Sequence, residues 1–218
     1  MHQPEFHSID DLPLRFPVFP LPGALLFPGS QLPLNIFEPR YLNMIDDARA
    51  GDGVIGMIQS LGSGPKSHPD IASVGCLGQI TSYDETGDGR YLITLTGICR
   101  FRVEEELPFE LPYREIRADW SEFGNDLFMP EEEELPERGE ILVALGDYLE
   151  QNGMTANLGD ADSAPVETLV NALSAGCPFS IMEKQALLEA PDLSSRAEIL
   201  IALLQMNSLD MGDSSSLQ

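Results

Sequence analysis

Between Phe16 and Tyr41 the chain sets six prolines and two glycines into an otherwise apolar segment, FPVFPLPGALLFPGSQLPLNIFEPRY. Pro17, Pro20, Pro22, Pro28 and Pro33 each fix φ and remove a backbone donor, so neither the interior of a long helix nor a central strand is expected here. Short extended pieces joined by fixed turns remain. Pro22-Gly23 and Pro28-Gly29 are turn dipeptides, with proline at the second turn position and glycine where positive φ is wanted. The apolar side chains between them, from Phe16, Val18 and Phe19 to Ile36 and Phe37, would be costly to leave in water. The segment reads as a rigid apolar clasp at one end of a β domain, or else as a binding surface.

The 218 residues, 43% of them hydrophobic, suffice for one large domain or two small ones. Acidic residues number 36 against 12 basic ones, a formal charge of −24. Such a surface repels phosphate backbones and anionic lipid, so neither nucleic acid nor a membrane is expected as a partner. The charge serves solubility or the recruitment of basic partners. Cys76, Cys99 and Cys177 are widely spaced among apolar neighbours, which suits inert buried thiols better than a disulfide framework or a zinc set. No run approaches the roughly 18 apolar residues of a membrane span, and the first residues lack a basic region followed by an apolar core. A reducing cytoplasm is the expected location.

Met1 to Asp11 are polar, and residues 1–13 are expected as a disordered tail, with a β domain over 14–125. Within it, Glu38-Pro39 opens a short helix with Leu42, Ile45 and Ala48 on one stripe, ending at Gly51. Val54 to Gln59 is a buried strand, and LGSGPKSHPD a loop. Its GSGPKS string is not a phosphate loop, because Pro65 sits directly before Lys66 and offers no amide. Ile71 to Tyr83 and Arg90 to Val103 form an antiparallel hairpin whose acidic turn lacks the flanking helices and closing glutamate of a calcium loop. Arg100, Arg102, Arg114 and Arg117 are expected to pair with surrounding glutamates rather than with RNA. Tyr113 to Trp120 supplies a last strand.

Residues 126–136, with Glu131 to Glu134 between Pro130 and Pro136, read as an acidic linker. Over 137–207 the spacing predicts four amphipathic helices: Glu137 to Asn152, Ser163 to Ala175, one opened by the capping box Ser180-Ile181-Met182-Glu183, and one from Pro191-Asp192 to about Asn207. They would pack as a small bundle, and 208–218 is expected to be disordered.

No constellation for catalysis assembles itself. His68 is the one histidine outside the amino-terminal tail, Lys66 and Lys184 are the only lysines, and no phosphate-loop signature occurs. The glutamate runs 104–106 and 131–134 lack an apolar pocket that would set a general acid apart from a base. Neither a metal nor another cofactor is implied, and no enzyme is expected.

The string FPVFPLPGALLFPGSQLPLNIFEPRYLNMI, followed by GVIGMI and GRYLITLTGICRFRV, resembles the amino-terminal substrate-binding domain of the ATP-dependent Lon protease. More narrowly, it is similar to stand-alone bacterial proteins that carry this domain and nothing else. The resemblance runs from about Leu14 to about Leu204 and rests on Pro20, Pro28, Gly29, Phe37, Glu38, Arg40 and Tyr41 within the FPLPG, LFPG and IFEPRY clusters. It implies an α+β fold, a PUA-like β pseudo-barrel with a short helix followed by a four-helix α bundle. It also implies a non-catalytic module that binds unfolded or exposed apolar polypeptide as an adaptor or chaperone-like factor. Alternatives are a structural or regulatory partner of Lon or another ATP-dependent protease, acting through the helices, and an RNA-binding protein. On the first reading Leu21, Leu25, Leu26 and Phe27, between the two Pro-Gly turns, are expected to meet the polypeptide, and Pro17, Pro20, Pro33, Ile36 and Phe37 to form the clasp.

Overall fold

A computed structural model describes residues 6–65, 68–108, 110–128, 136–154 and 164–209. The fold is α+β, with a six-stranded sheet and five α-helices among the described residues. The chain divides into two compact units, Met1–Met129 and Pro130–Gln218.

The first unit holds β1 (Arg15–Pro20), β2 (Gln31–Ile36), α1 (Pro39–Ala50), β3 (Val54–Ser60), β4 (Ile71–Glu85), β5 (Tyr91–Glu106) and β6 (Arg114–Asp119). The sheet order is β2-β5-β4-β3-β1-β6, and β6 also pairs with β5, so five strands close on themselves and β2 is added to the outside of β5. β1 and β3 run parallel and the other pairs antiparallel. The predicted hairpin is β4–β5, turned by Thr86, whose amide donates to the Arg90 carbonyl 2.9 Å away.

β1 has a neighbour on each side, a position its prolines were expected to forbid. The stagger of the neighbours explains it. β6 pairs with Arg15 to Val18 and β3 only with Val18 to Pro20, so the missing donors of Pro17 and Pro20 can each face the side where no partner runs.

α1 starts at Pro39, where a missing amide costs nothing, and buries Tyr41, Met44, Ile45 and Ala48 at i, i+3, i+4 and i+7. The stripe thus begins on Tyr41, with Leu42 at its margin. Tyr41 packs edge-on against Phe19 with ring centroids 4.4 Å apart, and the core continues through Ile36, Ile55, Met57, Cys76 and Leu95.

Part of the segment expected as an amino-terminal tail, residues 1–13, is ordered. A 3₁₀ turn spans Ile9–Asp11, the Asp11 carboxylate accepts the Ser8 amide at 2.9 Å, and Leu12 is buried. Asp126, expected at the start of the acidic linker, accepts three hydrogen bonds from the backbone and guanidinium of buried Arg100. The linker's acidic run, 131–134, lies outside the described residues.

The second unit contains α2 (Arg138–Gln151), α3 (Val166–Gly176), α4 (Ile181–Glu189) and α5 (Leu193–Leu209). The predicted capping box opens α4: the Glu183 amide donates to Ser180 Oγ at 3.3 Å and the Ser180 amide to Glu183 at 2.7 Å. Two cations finish helices, Lys184 donating to the Ala175 carbonyl at 2.8 Å and Arg196 to the Leu187 carbonyl at 3.1 Å. Ser163, expected to start α3, and the tail beyond Leu209 lie outside the described residues.

Candidate functional site

The two Pro-Gly dipeptides are turns with glycine at positive φ, 74° at Gly23 and 71° at Gly29. In the second, the Ser30 amide donates to the Phe27 carbonyl at 3.0 Å, which places Pro28 and Gly29 at the corners of a type II turn. This turn lies down on β5. The Gly29 amide donates to the Gly97 carbonyl, and a Cβ at Gly97 would stand 2.0 Å from the Phe27 oxygen, so only glycine lets the loop approach.

The loop between the turns is consequently interior. Leu25, Leu26 and Phe27 are 4%, 1% and 0% exposed, so the expectation that they are free to meet a polypeptide is corrected: three consecutive apolar residues are drawn into the sheet. Leu21 alone of the four is only half-buried. Phe37, expected in the clasp, is 62% exposed. Leu32, Leu34 and Ile36 alternate toward the core, and Phe37 falls on the other side of that alternation.

Phe37 stands on a groove of about 440 Å³. Its walls come from the end of β1 with Pro20 and Leu21, from Pro33 to Asn35 in β2, from Phe37, Glu38, Arg40 and Tyr41 entering α1, from Ser60 ending β3 and Pro69 in the loop that follows, and from Pro112 to Arg114 entering β6. Of the signature residues, Pro20, Phe37, Glu38, Arg40 and Tyr41 converge here, whereas Pro28 and Gly29 serve the buried turn. The charges in the walls are paired. Arg40 bonds Glu38 at 2.9 Å, and Arg114 bonds Glu106 at 2.6 Å and the Pro69 carbonyl at 2.6 Å. Tyr113 donates to Asp47 at 2.7 Å, and burial, followed by that bond and the Asp47 charge, holds its phenol well above the usual tyrosine range.

β2 pairs only with β5 among the described residues. The Gly97 amide donates to the Ser30 carbonyl, so the antiparallel alternation turns Leu32, Leu34 and Ile36 toward β5 and Gln31, Pro33 and Asn35 toward the open side. That edge offers the amides of Gln31 and Asn35 and three carbonyls; Pro33 supplies no donor.

The other candidate chemistry is accounted for locally. Arg100 pairs with Asp126, Arg102 with Glu122, Arg114 with Glu106 and Arg117 with Glu105, as expected except that an aspartate answers Arg100. His68 contacts Glu106 at 3.0 Å. Cys76, Cys99 and Cys177 are buried free thiols, raised by burial above the ordinary thiol range. Lys66 lies outside the described residues.

A family model described as the ATP-dependent protease La (LON) substrate-binding domain matches residues 15–206. Lon protease 2 of Myxococcus xanthus is 29% identical over 94% of this chain and 25% of its own length. A Lon protease of Flavobacterium johnsoniae is 26% identical over 86% of the chain and 23% of its own. The chain thus spans about a quarter of the length of these relatives. Among solved structures, a Lon N-terminal domain protein from Xanthomonas campestris is similar with a TM-score of 0.60 and 23% identity, covering 86% of this chain and 97% of that one. The N-terminal domain of a Mycobacterium avium complex Lon protease gives 0.63 and 17% identity, covering 87% and 97%. At these identities the likeness concerns the fold.

Proposed function

Since the chain belongs to the family of Lon substrate-binding domains, we propose that it is a polypeptide-binding module whose contact surface is the groove beside Phe37. The observation that carries this is the exposure of Phe37, 62%, on a groove walled by Leu21, Leu34 and prolines. A large aromatic side chain left in water beside further apolar surface supports a binding role better than a packing one. An extended apolar segment would lay side chains against Phe37 and Leu21 and bond to the amide and carbonyl of Asn35 on the open edge of β2. Prolines hold the walls in shape before the segment arrives, which lowers the ordering cost of binding.

On this reading the first unit is a PUA-like pseudo-barrel, the second a four-helix bundle, and the chain an adaptor or chaperone-like factor in the cytoplasm. Partnership with Lon or another ATP-dependent protease would fall to the helices. The engagement of Arg100, Arg102, Arg114 and Arg117 by carboxylates supports polypeptide over RNA.

The test is fluorescence anisotropy with a labelled, reduced and carboxymethylated protein that stays unfolded. Saturable binding is expected, weakened about tenfold by Phe37→Ser, as for a central apolar anchor. Absence of saturation, or equal binding by the variant, overturns the assignment.

A further inference from the structure

A second groove, of about 420 Å³, lies at the other end of β1. β1 is six residues long, so about 20 Å separates the two ends. Ile9, Leu12 and Leu14 supply its apolar side, and Leu14 and Ile9 are 64% and 40% exposed. Trp120, the one tryptophan of the chain, lines it; the residue is 4% exposed, and its indole N–H has no hydrogen-bond partner among the described residues.

The charge of this groove is what sets it apart. Asp10, Glu104 and Asp119 line it, and no lysine or arginine among the described residues does. Near Phe37 each wall charge has its counter-ion, but the neighbouring cations here form their ion pairs elsewhere, Arg15 with Glu115, Arg102 with Glu122 and Arg117 with Glu105. Of the three carboxylates only Asp119 has one of these cations, Arg102, opposite it in the sheet, and the Ser121 amide and then that charge help to hold it ionised. Asp10 and Glu104 enter no ion pair among the described residues, while Asp119 accepts the Ser121 amide at 2.9 Å. Glu104 reaches the groove through an irregularity of the sheet. The β5–β6 register shifts between Val103 and Glu105, leaving Glu104 opposite no residue of β6, and a bulge of this kind re-aims a side chain.

We propose that this groove is a second binding site, for a basic polypeptide segment in which lysine or arginine alternates with aliphatic residues. The aliphatic side chains would cover Ile9 and Leu14, and the cations would meet Asp10, Glu104 and Asp119. The formal charge of −24 adds a long-range field that concentrates such a segment at the surface. A small cation would leave the apolar side uncovered, and nucleic acid would be repelled by the same three carboxylates. The site is independent of the groove at Phe37: failure of either assignment leaves the other standing.

Trp120 provides the readout. The full chain is titrated with an unlabelled peptide of three lysine-leucine repeats while its tryptophan emission is followed, with serine-leucine and glutamate-leucine peptides as controls. The lysine peptide is expected to produce a saturable change that shrinks from 50 to 300 mM salt, and the controls none. Asp10→Asn with Glu104→Gln, both at exposed positions, should weaken it about tenfold at unchanged melting temperature, and Phe37→Ser should leave it alone. Binding of the serine peptide with equal strength, an unaltered titration of the double variant, or no saturable change each overturns the proposal.

Discussion

Phe27 and Phe37 belong to one proline-punctuated segment, yet Phe27 is fully buried and Phe37 is 62% exposed. The difference comes from the backbone. Around Phe27 a type II turn and the bare Cα of Gly97 press the chain against β5, and its side chain follows inward. At Phe37 a strand has just ended and a helix is about to begin, so the residue continues an alternation whose inward positions are already taken by Leu32, Leu34 and Ile36. Apolar content alone does not separate a scaffold from a contact surface; the direction in which the backbone delivers the side chain does.

The largest test of this division is Phe27→Ser. Emptying a buried phenylalanine site costs about 3–5 kcal/mol, and the buried hydroxyl adds to it. Against a total stability of roughly 5–15 kcal/mol, the first unit should lose most of its margin in urea denaturation followed by circular dichroism. A variant as stable as the parent would mean that the turn is not seated on β5.

Much of the fold was legible in the sequence because local chemistry and final structure agree there. The β4–β5 hairpin, the start of α1 at Pro39 and the Ser180 capping box follow from turn and cap residues that act within a few positions. β1 was less legible. Pro17 and Pro20 forbid a central strand only if both neighbours pair along its whole length, and the stagger of β3 against β6 is a property of the closed sheet. The site was half legible. Leu25, Leu26 and Phe27 are three apolar residues in a row, which no half-exposed loop would carry cheaply, and the period-2 pattern of β2 already points Phe37 outward. The second groove left little local signal, since it joins residues 9–14, 104 and 118–121 through long-range pairing.

Gly97→Ala probes the same contrast from the partner strand. The added Cβ would stand 2.0 Å from the Phe27 oxygen and 2.7 Å from its carbonyl carbon, so backbone must move. A loss of about 1–3 kcal/mol is expected, as for overpacking elsewhere. A loss under about 0.5 kcal/mol in the same denaturation experiment would show that the turn can lift without consequence.

Tyr113 tests the groove wall by pH. Its phenol and that of Tyr91, pushed up to about 12, are favoured in the neutral form in the fold, burial being the first cause of each. An unfolded tyrosine ionises near pH 10. The stabilisation is therefore whole below about pH 10 and is lost as pH rises through the raised folded values. Urea midpoints should fall between pH 9 and 12. Tyr113→Phe gives up the bond to Asp47, about 0.5–1.5 kcal/mol at neutral pH, and should make the alkaline fall shallower. An equally steep fall in the variant would remove Tyr113 as a source.

Phe37→Ser should produce the smallest change in stability and the most informative one. With most of the ring already in water and no hydrogen bond to lose, the denaturation midpoint should stay within about 0.5 kcal/mol of the parent. The Arg90 guanidinium lies 5.9 Å from the ring centroid, a contact worth little at an exposed site. If the variant is as stable as the parent and also binds unfolded polypeptide as well, Phe37 is merely tolerated on the surface. If it is markedly destabilised, the exposed ring is doing structural work in solution and the division between the two phenylalanines collapses. Only unchanged stability combined with weakened binding assigns the two residues to different tasks, and a single variant measured both ways decides among the three.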